Sequence, residues 1–253
     1  RGAGRPVITL GCQAWIERPA NKNFLSRSNI GSEIEFARVG FKYESQQVSA
    51  LENVSFQIEE GERVAILGRT GSGKSTIQRL IMGFYNATEG SILLGKTDIN
   101  QIDPQDIRKN ISFVPQEISL FSGTIRQNIT LGSPLKKDED MIIASEIASV
   151  SDFIKKHPMG FDLDVGERGS NLSGGQRQGI GIARALFSGG ETLIFDEPTA
   201  SMDNTSEKIF IENFLPFIKN KTLILITHKA SMLSLVDRII VLDKGKLVTD
   251  GPK

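Results

Sequence analysis

The segment that most constrains the fold of this chain is residues 68–76, which read GRTGSGKST. An apolar run, residues 64–67, comes before it, and an amphipathic run, residues 77–84, comes after it, which predicts the order strand, glycine-rich turn, helix. Turns of this composition expose backbone N–H groups at a helix N-terminus, where they form a concave site for phosphate. The spacing G-x-x-x-x-G-K-[ST] therefore predicts that the chain binds a nucleoside triphosphate.

The residue types in this loop have a chemical reason. Glycines at Gly71 and Gly73 lack the Cβ atom that would keep a phosphate away from the backbone, and they tolerate positive φ. The ammonium group of Lys74 is suited to the β- and γ-phosphates, and the hydroxyl of Ser75 is suited to Mg²⁺. The predicted nucleotide-binding residues of the loop are Gly68, Thr70, Gly71, Ser72, Gly73, Lys74, Ser75 and Thr76.

Composition is that of a soluble globular protein: 39% of the 253 residues are hydrophobic and 24% are charged. The formal net charge is +0, so no overall field recruits nucleic acid or an anionic membrane. The single cysteine, Cys12, fits a reducing compartment. No apolar run approaches the roughly 20 residues that span a bilayer, and no signal peptide is evident at the start.

Two adjacent carboxylates, Asp196 and Glu197, follow a continuous apolar run at residues 192–195. Such a run predicts a strand buried on both faces, as in a parallel sheet. Asp196 can hold Mg²⁺ through water, and Glu197 can polarise an attacking water. The alternative, a solvated acidic strand end, is disfavoured by the phosphate loop in the same chain.

Three more polar or aromatic residues are candidates for the same site. His228 follows the apolar run at residues 223–226, where it can contact the γ-phosphate or orient Glu197. Gln116 follows a short predicted strand, where its amide can reach Mg²⁺ or a water. For Tyr43, stacking on a purine ring and a half-buried position in a strand are both open.

A second anion-binding segment lies at residues 171–178, which read NLSGGQRQ. Ser173 is a predicted helix N-cap, and Gly174 and Gly175 expose the N–H groups of the first turn. A single nucleotide can hardly occupy two phosphate-binding sites of one domain. The second site is easier to explain if it serves a neighbouring molecule. The segment belongs to residues 121–188, which lose the strand pattern and predict an inserted α-helical subdomain.

The remaining patterns predict an α/β fold. Alternating runs at residues 34–39, 51–58 and 91–94 predict an antiparallel β subdomain, and the chain closes with a predicted strand pair at residues 238–248. Residues 1–32 carry Gly, Pro, Asn and Ser without a sustained period. They predict a linker or a loosely docked arm that joins an upstream domain, with plain disorder as the alternative; the resemblance given below implies that this upstream domain is a membrane domain.

These elements, in this order, resemble the nucleotide-binding domain of ATP-binding cassette (ABC) transporters over about residues 33–253. LSGGQ at residues 172–176 matches the family signature and is the most specific motif of the chain. The resemblance implies a RecA-like P-loop core, ATP and Mg²⁺ as ligands, and an ATPase in which Glu197 is the catalytic glutamate and His228 the switch histidine.

The resemblance also implies roles for other residues. Tyr43 matches the aromatic residue that stacks on adenine, and Gln116 matches the glutamine that senses Mg²⁺ and faces the membrane domains. Residues 201–203 read SMD where the family usually has S-A-L-D, so that Asp203 is kept and the flanking residues differ. The implied metal ligands are Ser75, Gln116 and Asp196; the implied catalytic residues are Glu197, His228 and Gln116; and the implied nucleotide contacts outside the phosphate loop are Tyr43, Ser173, Gly174, Gly175, Gln176 and Asp203.

In this family two such domains pack head to tail, and the LSGGQ of one covers the γ-phosphate bound by the other. The implied partners are a second identical domain and the transmembrane domain of the same polypeptide. Residues 165–169, VGERG, resemble a segment specific to exporters, and residues 101–104 and 227–232 look most like bacterial type I secretion exporters of the haemolysin and large-adhesin type. That resemblance implies a polypeptide cargo, a membrane fusion protein, an outer-membrane channel and a place at the cytoplasmic face of the inner membrane, with no nucleic acid partner.

Three alternatives remain open from the sequence. An exporter of lipids or small molecules would use the same ATPase, and its membrane helices would carry the difference. A ribosome-associated or chromosome-organising ATPase is disfavoured by the GERG segment. A nucleotide-gated binding module that hardly turns over is disfavoured because both Glu197 and His228 are present.

Overall fold

The computed structural model describes residues 30–44, 47–131 and 137–253, so the predicted arm at residues 1–32 lies almost wholly outside the described residues. The strands are β1 (Ile34–Phe41), β2 (Leu51–Ile58), β3 (Arg63–Gly68), β4 (Glu89–Leu94), β5 (Thr97–Asp98), β6 (Ile111–Val114), β7 (Thr192–Asp196), β8 (Thr222–Ile226), β9 (Arg238–Asp243) and β10 (Lys246–Pro252). The helices are α1 (Lys74–Ile81), α2 (Pro104–Asn110), α3 (Ile125–Thr130), α4 (Asp138–Ile147), α5 (Ser151–Lys156), α6 (Gly174–Ser188) and α7 (Asn204–Phe217).

The larger sheet has six strands in the order β10-β9-β3-β8-β7-β6. Strands β9, β3, β8, β7 and β6 run parallel, and β10 adds an antiparallel edge through the predicted closing strand pair. Every residue of β7 and β8 is buried, as their continuous apolar runs predict. Because the strands are parallel, the segments that follow β3, β6, β7 and β8 all leave from the same edge of the sheet.

This sheet separates two hydrophobic cores, because successive side chains of a strand point to opposite faces. Leu223 and Leu225 of β8 pack into a core formed with α3–α7, whereas Ile224 and Ile226 pack into a core formed with α1, α2 and the smaller sheet. The smaller sheet has the order β2-β1-β4-β5 and is antiparallel, as predicted. Its core includes a stacked pair of rings, Phe36 and Phe56, with centroids 4.5 Å apart.

Helices α3–α6 occupy the chain between β6 and β7, where the sequence predicts an α-helical insertion. Arg184 of α6 ties this region together, since it donates to the backbone oxygens of Asn128 at 2.8 Å and Ser119 at 3.0 Å. Burial lowers the pKa of Arg184 to about 10. No helix among the described residues is both long and apolar enough to cross a membrane.

Several elements differ from the sequence-based prediction. The helix expected at residues 77–84 runs instead from Lys74 to Ile81, because the left-handed backbone of Gly73 (φ 105°) ends the turn and the helix begins at the next residue. Helices α2, α5 and α7 have no counterpart in the prediction. Asp103 and Asp203 cap the N-termini of α2 and α7, a local signal that the apolar pattern alone does not reveal.

Candidate nucleotide-binding site

The predicted phosphate loop connects β3 to α1, and packing fixes its two outer glycines. A Cβ atom on Gly68 would lie 2.3 Å from the backbone oxygen of Leu242. A Cβ atom on Gly73 would lie 2.6 Å from Leu51 Cδ2, and φ at this position is 105°. Both positions therefore require glycine, and the backbone of the loop is held against β9 and β2.

Lys74 lies across the loop. Its Nζ donates to the backbone oxygens of Gly68 at 2.5 Å and Arg69 at 3.0 Å, which accounts for two of the three donors of the ammonium group. Burial lowers the pKa of Lys74, and the charges of Asp196 and Glu197 act in the opposite direction. The structure thus places a cation between the phosphate loop and the carboxylates at the end of β7.

Asp196 is the last residue of β7 and is only 8% exposed. Burial raises the pKa of its carboxyl group, while the Gln78 amide and the Lys74 charge lower it. Gln78 is itself 3% exposed and lies one helical turn after Lys74 on α1. Sequence reasoning missed Gln78, although a spacing of four residues from Lys74 puts both side chains on one face of the helix.

Glu197 has a left-handed backbone with φ 47°, which is strained for a residue with a side chain and is characteristic of functional sites. Its N–H donates to Ile226 O at 2.8 Å, and Gln178 Nε2 donates to its carbonyl at 3.3 Å. Thr227 Oγ1 lies 3.4 Å from carboxylate atom Oε2. Carboxylate atom Oε1 is buried and has no hydrogen-bond partner among the described residues.

The imidazole of His228 lies next to that carboxylate atom, with Nε2 3.7 Å from Oε1. Burial raises the pKa of Glu197, and His228 lowers it. The His228 side chain is 61% exposed, so it can face both Glu197 and a ligand. Gln116 follows β6 and is also exposed at the same edge of the sheet. The structure therefore brings together the residues predicted to follow β6, β7 and β8.

Tyr43 lies after the end of β1, so the alternative of a strand tyrosine is wrong. It is half-buried, and its ring packs edge-on against Phe41 and Tyr85. Its hydroxyl lies 3.2 Å from Thr76 Oγ1 and accepts from Arg79 at 3.0 Å. Hydrogen bonds of the hydroxyl therefore hold Tyr43 against the first turns of α1, next to the phosphate loop. Its stacking on a nucleotide base stays a prediction.

The second predicted anion-binding segment forms the N-terminus of α6. Ser173 Oγ accepts from the Gln176 N–H at 3.2 Å, and the Gln176 side chain accepts from the Ser173 N–H at 2.9 Å. This is a capping box, and it confirms Ser173 as the N-cap. A Cβ atom on Gly174 or Gly175 would lie 3.3 Å from Ser201. Within the described residues, no hydrogen bond joins residues 173–176 to the phosphate loop.

Asp203 has a defined structural position. Its carboxylate accepts from the backbone N–H groups of Thr205 and Ser206, each at 2.9 Å, and thereby caps α7. Hydrogen bonds with Ser206 lower its pKa. The nucleotide-binding role suggested for Asp203 stays a prediction.

The residues at this edge fit a magnesium nucleotide. Ser75 is exposed at the first turn of α1, and Asp196 and Gln116 supply further oxygen atoms, which are the ligands that Mg²⁺ prefers. No cluster of three or more His, Cys, Asp or Glu suited to a metal occurs in the described part of the chain.

The glycine-rich loop between β3 and α1, together with the carboxylates after β7, defines a P-loop nucleotide-binding domain. The sequence profile of the ABC transporter family matches residues 51–200, so the chain belongs to the ABC transporter family and is an ATP-binding domain of that family. This confirms the resemblance drawn from the LSGGQ signature and the phosphate loop. The site that the chain carries is consistent with ATP hydrolysis.

Two relatives are similar to the chain over most of its length. The chain is 41% identical over 236 residues to the alpha-hemolysin translocation ATP-binding protein of Escherichia coli O157:H7, covering 93% of this chain and 33% of that protein. It is 39% identical over 238 residues to the leukotoxin export ATP-binding protein of Aggregatibacter actinomycetemcomitans, covering 93% of this chain and 34% of that protein. The chain thus spans about a third of the length of these relatives.

A solved structure, that of a bacterial Atm1-family ABC exporter with ATP bound, matches 92% of this chain and 42% of its own, with a TM-score of 0.84 and 34% identity. The predicted ABC ATPase fold is confirmed by this match. The chain is an ATP-binding domain of the ABC transporter family, similar to those of a hemolysin translocation protein, a leukotoxin export protein and an Atm1-family exporter.

Proposed function

We propose that this chain hydrolyses ATP at the interface of a head-to-tail homodimer and that the cycle powers type I secretion of a polypeptide. The observation that carries the proposal is the N-terminus of α6. It has exposed first-turn N–H groups, it lies against Ser201, and it makes no hydrogen bond to the phosphate loop of its own chain within the described residues. A helix N-terminus of this kind is suited to the γ-phosphate bound by a second copy.

In this reaction Lys74 binds the β- and γ-phosphates, and Ser75, Asp196 and Gln116 hold Mg²⁺. When bound, Mg²⁺ neutralises the charge that develops on the phosphate oxygens. Glu197 orients the attacking water and accepts its proton through the carboxylate atom that has no partner among the described residues. Burial raises the pKa of Glu197, which makes its carboxylate a better base near neutral pH. His228 Nε2 lies 3.7 Å from the Glu197 carboxylate, and its exposed side chain would contact the γ-phosphate.

The names of the relatives support a polypeptide cargo, since one is a hemolysin translocation protein and another a leukotoxin export protein. The further partners in this proposal are the transmembrane domain of the same polypeptide, a membrane fusion protein and an outer-membrane channel. The domain would then act at the cytoplasmic face of the bacterial inner membrane. In a reconstituted full-length exporter, we expect unfolded polypeptide, rather than lipid, to stimulate ATP hydrolysis.

The dimer is tested by the ATPase rate as a function of protein concentration in Mg·ATP. We expect the rate of the wild type to rise more steeply than linearly and then to flatten, because two chains complete each site. Ser173→Arg should abolish this rise and leave nucleotide binding to the monomer intact. The matched control is Thr249→Arg, which changes an exposed hydroxyl residue of the edge strand β10 and should behave as the wild type.

A strictly linear rate from a chain that sedimentation shows to be monomeric would refute the shared site. A normal ATP-bound dimer of the Ser173→Arg variant would contradict it as well. Absence of hydrolysis at every concentration, with ATP bound, would refute the proposal that this domain is active by itself.

A further inference from the structure

A buried carboxylate outside the nucleotide site, Glu207 of α7, holds two loops together. It is 6% exposed and accepts hydrogen bonds from three side chains: from Thr199 Oγ1 at 2.6 Å, from Lys229 Nζ at 2.5 Å, and from the Ser231 hydroxyl. We call Glu207 and these three donors the Glu207 cluster. Nothing in the roles assigned so far uses this cluster.

The donors of the Glu207 cluster come from two separate loops. Thr199 belongs to the loop that follows β7, and Lys229 and Ser231 belong to the segment that follows β8. Lys229 Nζ also donates to the backbone oxygen of Thr199 at 2.7 Å, so the two loops are joined directly as well as through Glu207. One carboxylate thus fixes the distance between these loops.

Each loop carries one residue of the proposed catalytic pair near its start. Glu197 lies two residues before Thr199, and His228 immediately precedes Lys229. The Lys229 N–H donates at 3.1 Å to Thr227 Oγ1, which in turn lies 3.4 Å from the Glu197 carboxylate. Because the backbone of Glu197 is strained, contacts around it must hold it in place.

We propose that Glu207 is a positioning residue for ATP hydrolysis, which holds the loops after β7 and β8 together so that Glu197 and His228 stay in contact. In this role Glu207 acts through its hydrogen bonds with Thr199 and Lys229 and not on the reacting atoms. This inference rests on the proposed hydrolysis at Glu197.

The charge of Glu207 matters for this role. Burial favours the neutral form, but hydrogen bonds from Lys229, Ser231 and Thr199 outweigh burial and lower the pKa of Glu207. A glutamine at this position keeps the size of the side chain but presents an N–H₂ group where the cluster needs an acceptor. It also leaves the cation of Lys229, which is two-thirds buried, without its partner.

The test compares Glu207→Gln with the wild type by steady-state ATP hydrolysis and by binding of a fluorescent ATP analogue, at a temperature where both are folded. We expect kcat to fall about 10- to 100-fold, as expected for a displaced catalytic group. The affinity for the analogue should not change, because the phosphate loop lies on β3 and α1, away from the cluster. The matched control is Glu212→Gln, an exposed carboxylate of the same helix (63% side-chain exposure), which should leave kcat unchanged.

A second variant, Thr199→Val, replaces the hydroxyl that donates to Glu207 by a methyl group of similar size. It keeps the test valid if Glu207→Gln does not fold. We expect it to lower kcat less, and we expect the double variant to be no slower than Glu207→Gln, because both act through one contact. A purely structural role would instead lower the melting temperature and leave kcat of the folded variants unchanged, and that result would overturn the inference. So would equal losses of kcat and analogue affinity. An inactive wild type would instead overturn the proposed hydrolysis.

Discussion

Replacing Glu197 by glutamine should separate nucleotide binding from hydrolysis. Glutamine keeps the shape of the side chain and the backbone contacts to Ile226 and Gln178. It loses the charge of the buried carboxylate, one oxygen of which lies 3.7 Å from His228 Nε2. We therefore expect ATP to bind and the dimer to accumulate in its ATP-bound form, because only the activation of water is lost.

The effect on the rate can be estimated from the role of the residue. A positioned general base contributes about 10²- to 10⁴-fold to a rate. At about 1.4 kcal/mol per factor of ten, the variant should raise the activation free energy by about 3 to 6 kcal/mol.

The effect on stability should have the opposite sign. Burial raises the pKa of Glu197 in the folded chain, so at neutral pH the ionised carboxylate disfavours folding. Glutamine removes this penalty, and the melting temperature of the variant at pH 7 should equal or exceed that of the wild type. The difference is fully present above the raised pKa of the folded chain, and it should vanish as the pH falls below the ordinary pKa of glutamate.

Phosphate release measures the rate, and circular dichroism melting curves at several pH values measure the stability. Glu212→Gln is the matched control, since its carboxylate is exposed and it should change neither quantity. Turnover within tenfold of the wild type would refute the assignment of Glu197 as the base. A clear decrease of the melting temperature at pH 7 would refute the argument from burial.

Two further variants test the loop and the helix cap. Lys74→Ala should weaken ATP binding because the phosphates lose a cation held inside the loop. Titration with a fluorescent ATP analogue measures the affinity, and Lys208→Ala on the surface of α7 is the control. An unaltered affinity of the Lys74→Ala variant would contradict the role of Lys74. Asp203→Ala should lower the melting temperature because α7 loses its N-cap, whereas Asp203→Asn, which can still accept from the backbone, should retain most of it. Hydrogen bonds lower the pKa of Asp203 in the folded chain. The difference in melting temperature between the wild type and Asp203→Ala should therefore be present above the ordinary pKa of aspartate and be lost as the pH falls through the lowered pKa. A difference in melting temperature that grows in acid would exclude this explanation.

Features that depend on neighbours in the chain were predictable. The buried strands β7 and β8 follow from continuous apolar runs, and the capping box of α6 follows from the spacing of Ser173 and Gln176. The phosphate loop follows from its spacing between a strand and a helix. Helix α7 was missed, because its cap at Asp203 is followed by residues without a clear apolar stripe and by Pro216 in its last turn.

Contacts between distant parts of the chain were predictable only where polar residues follow parallel strands, as for Glu197 and His228. The sequence indicates Tyr43 as a possible base-stacking residue, but its attachment to Arg79 and Thr76 depends on how the smaller sheet packs on α1. The position of Gln78 beside Asp196 likewise depends on the packing of α1 against the larger sheet.

By itself, the sequence determined that this chain folds around a nucleotide-binding loop and carries a second helix N-terminus suited to phosphate. Both features are local, since a few successive residues set their backbone conformation and their exposed N–H groups. The sequence also indicated His228 as a candidate to orient Glu197, but only the tertiary structure decided the 3.7 Å distance between them and that Glu207 joins the loops that carry them. Residues about 30 positions apart come together because β7 and β8 pair in parallel, and this register is set by burial of the whole sheet between two cores.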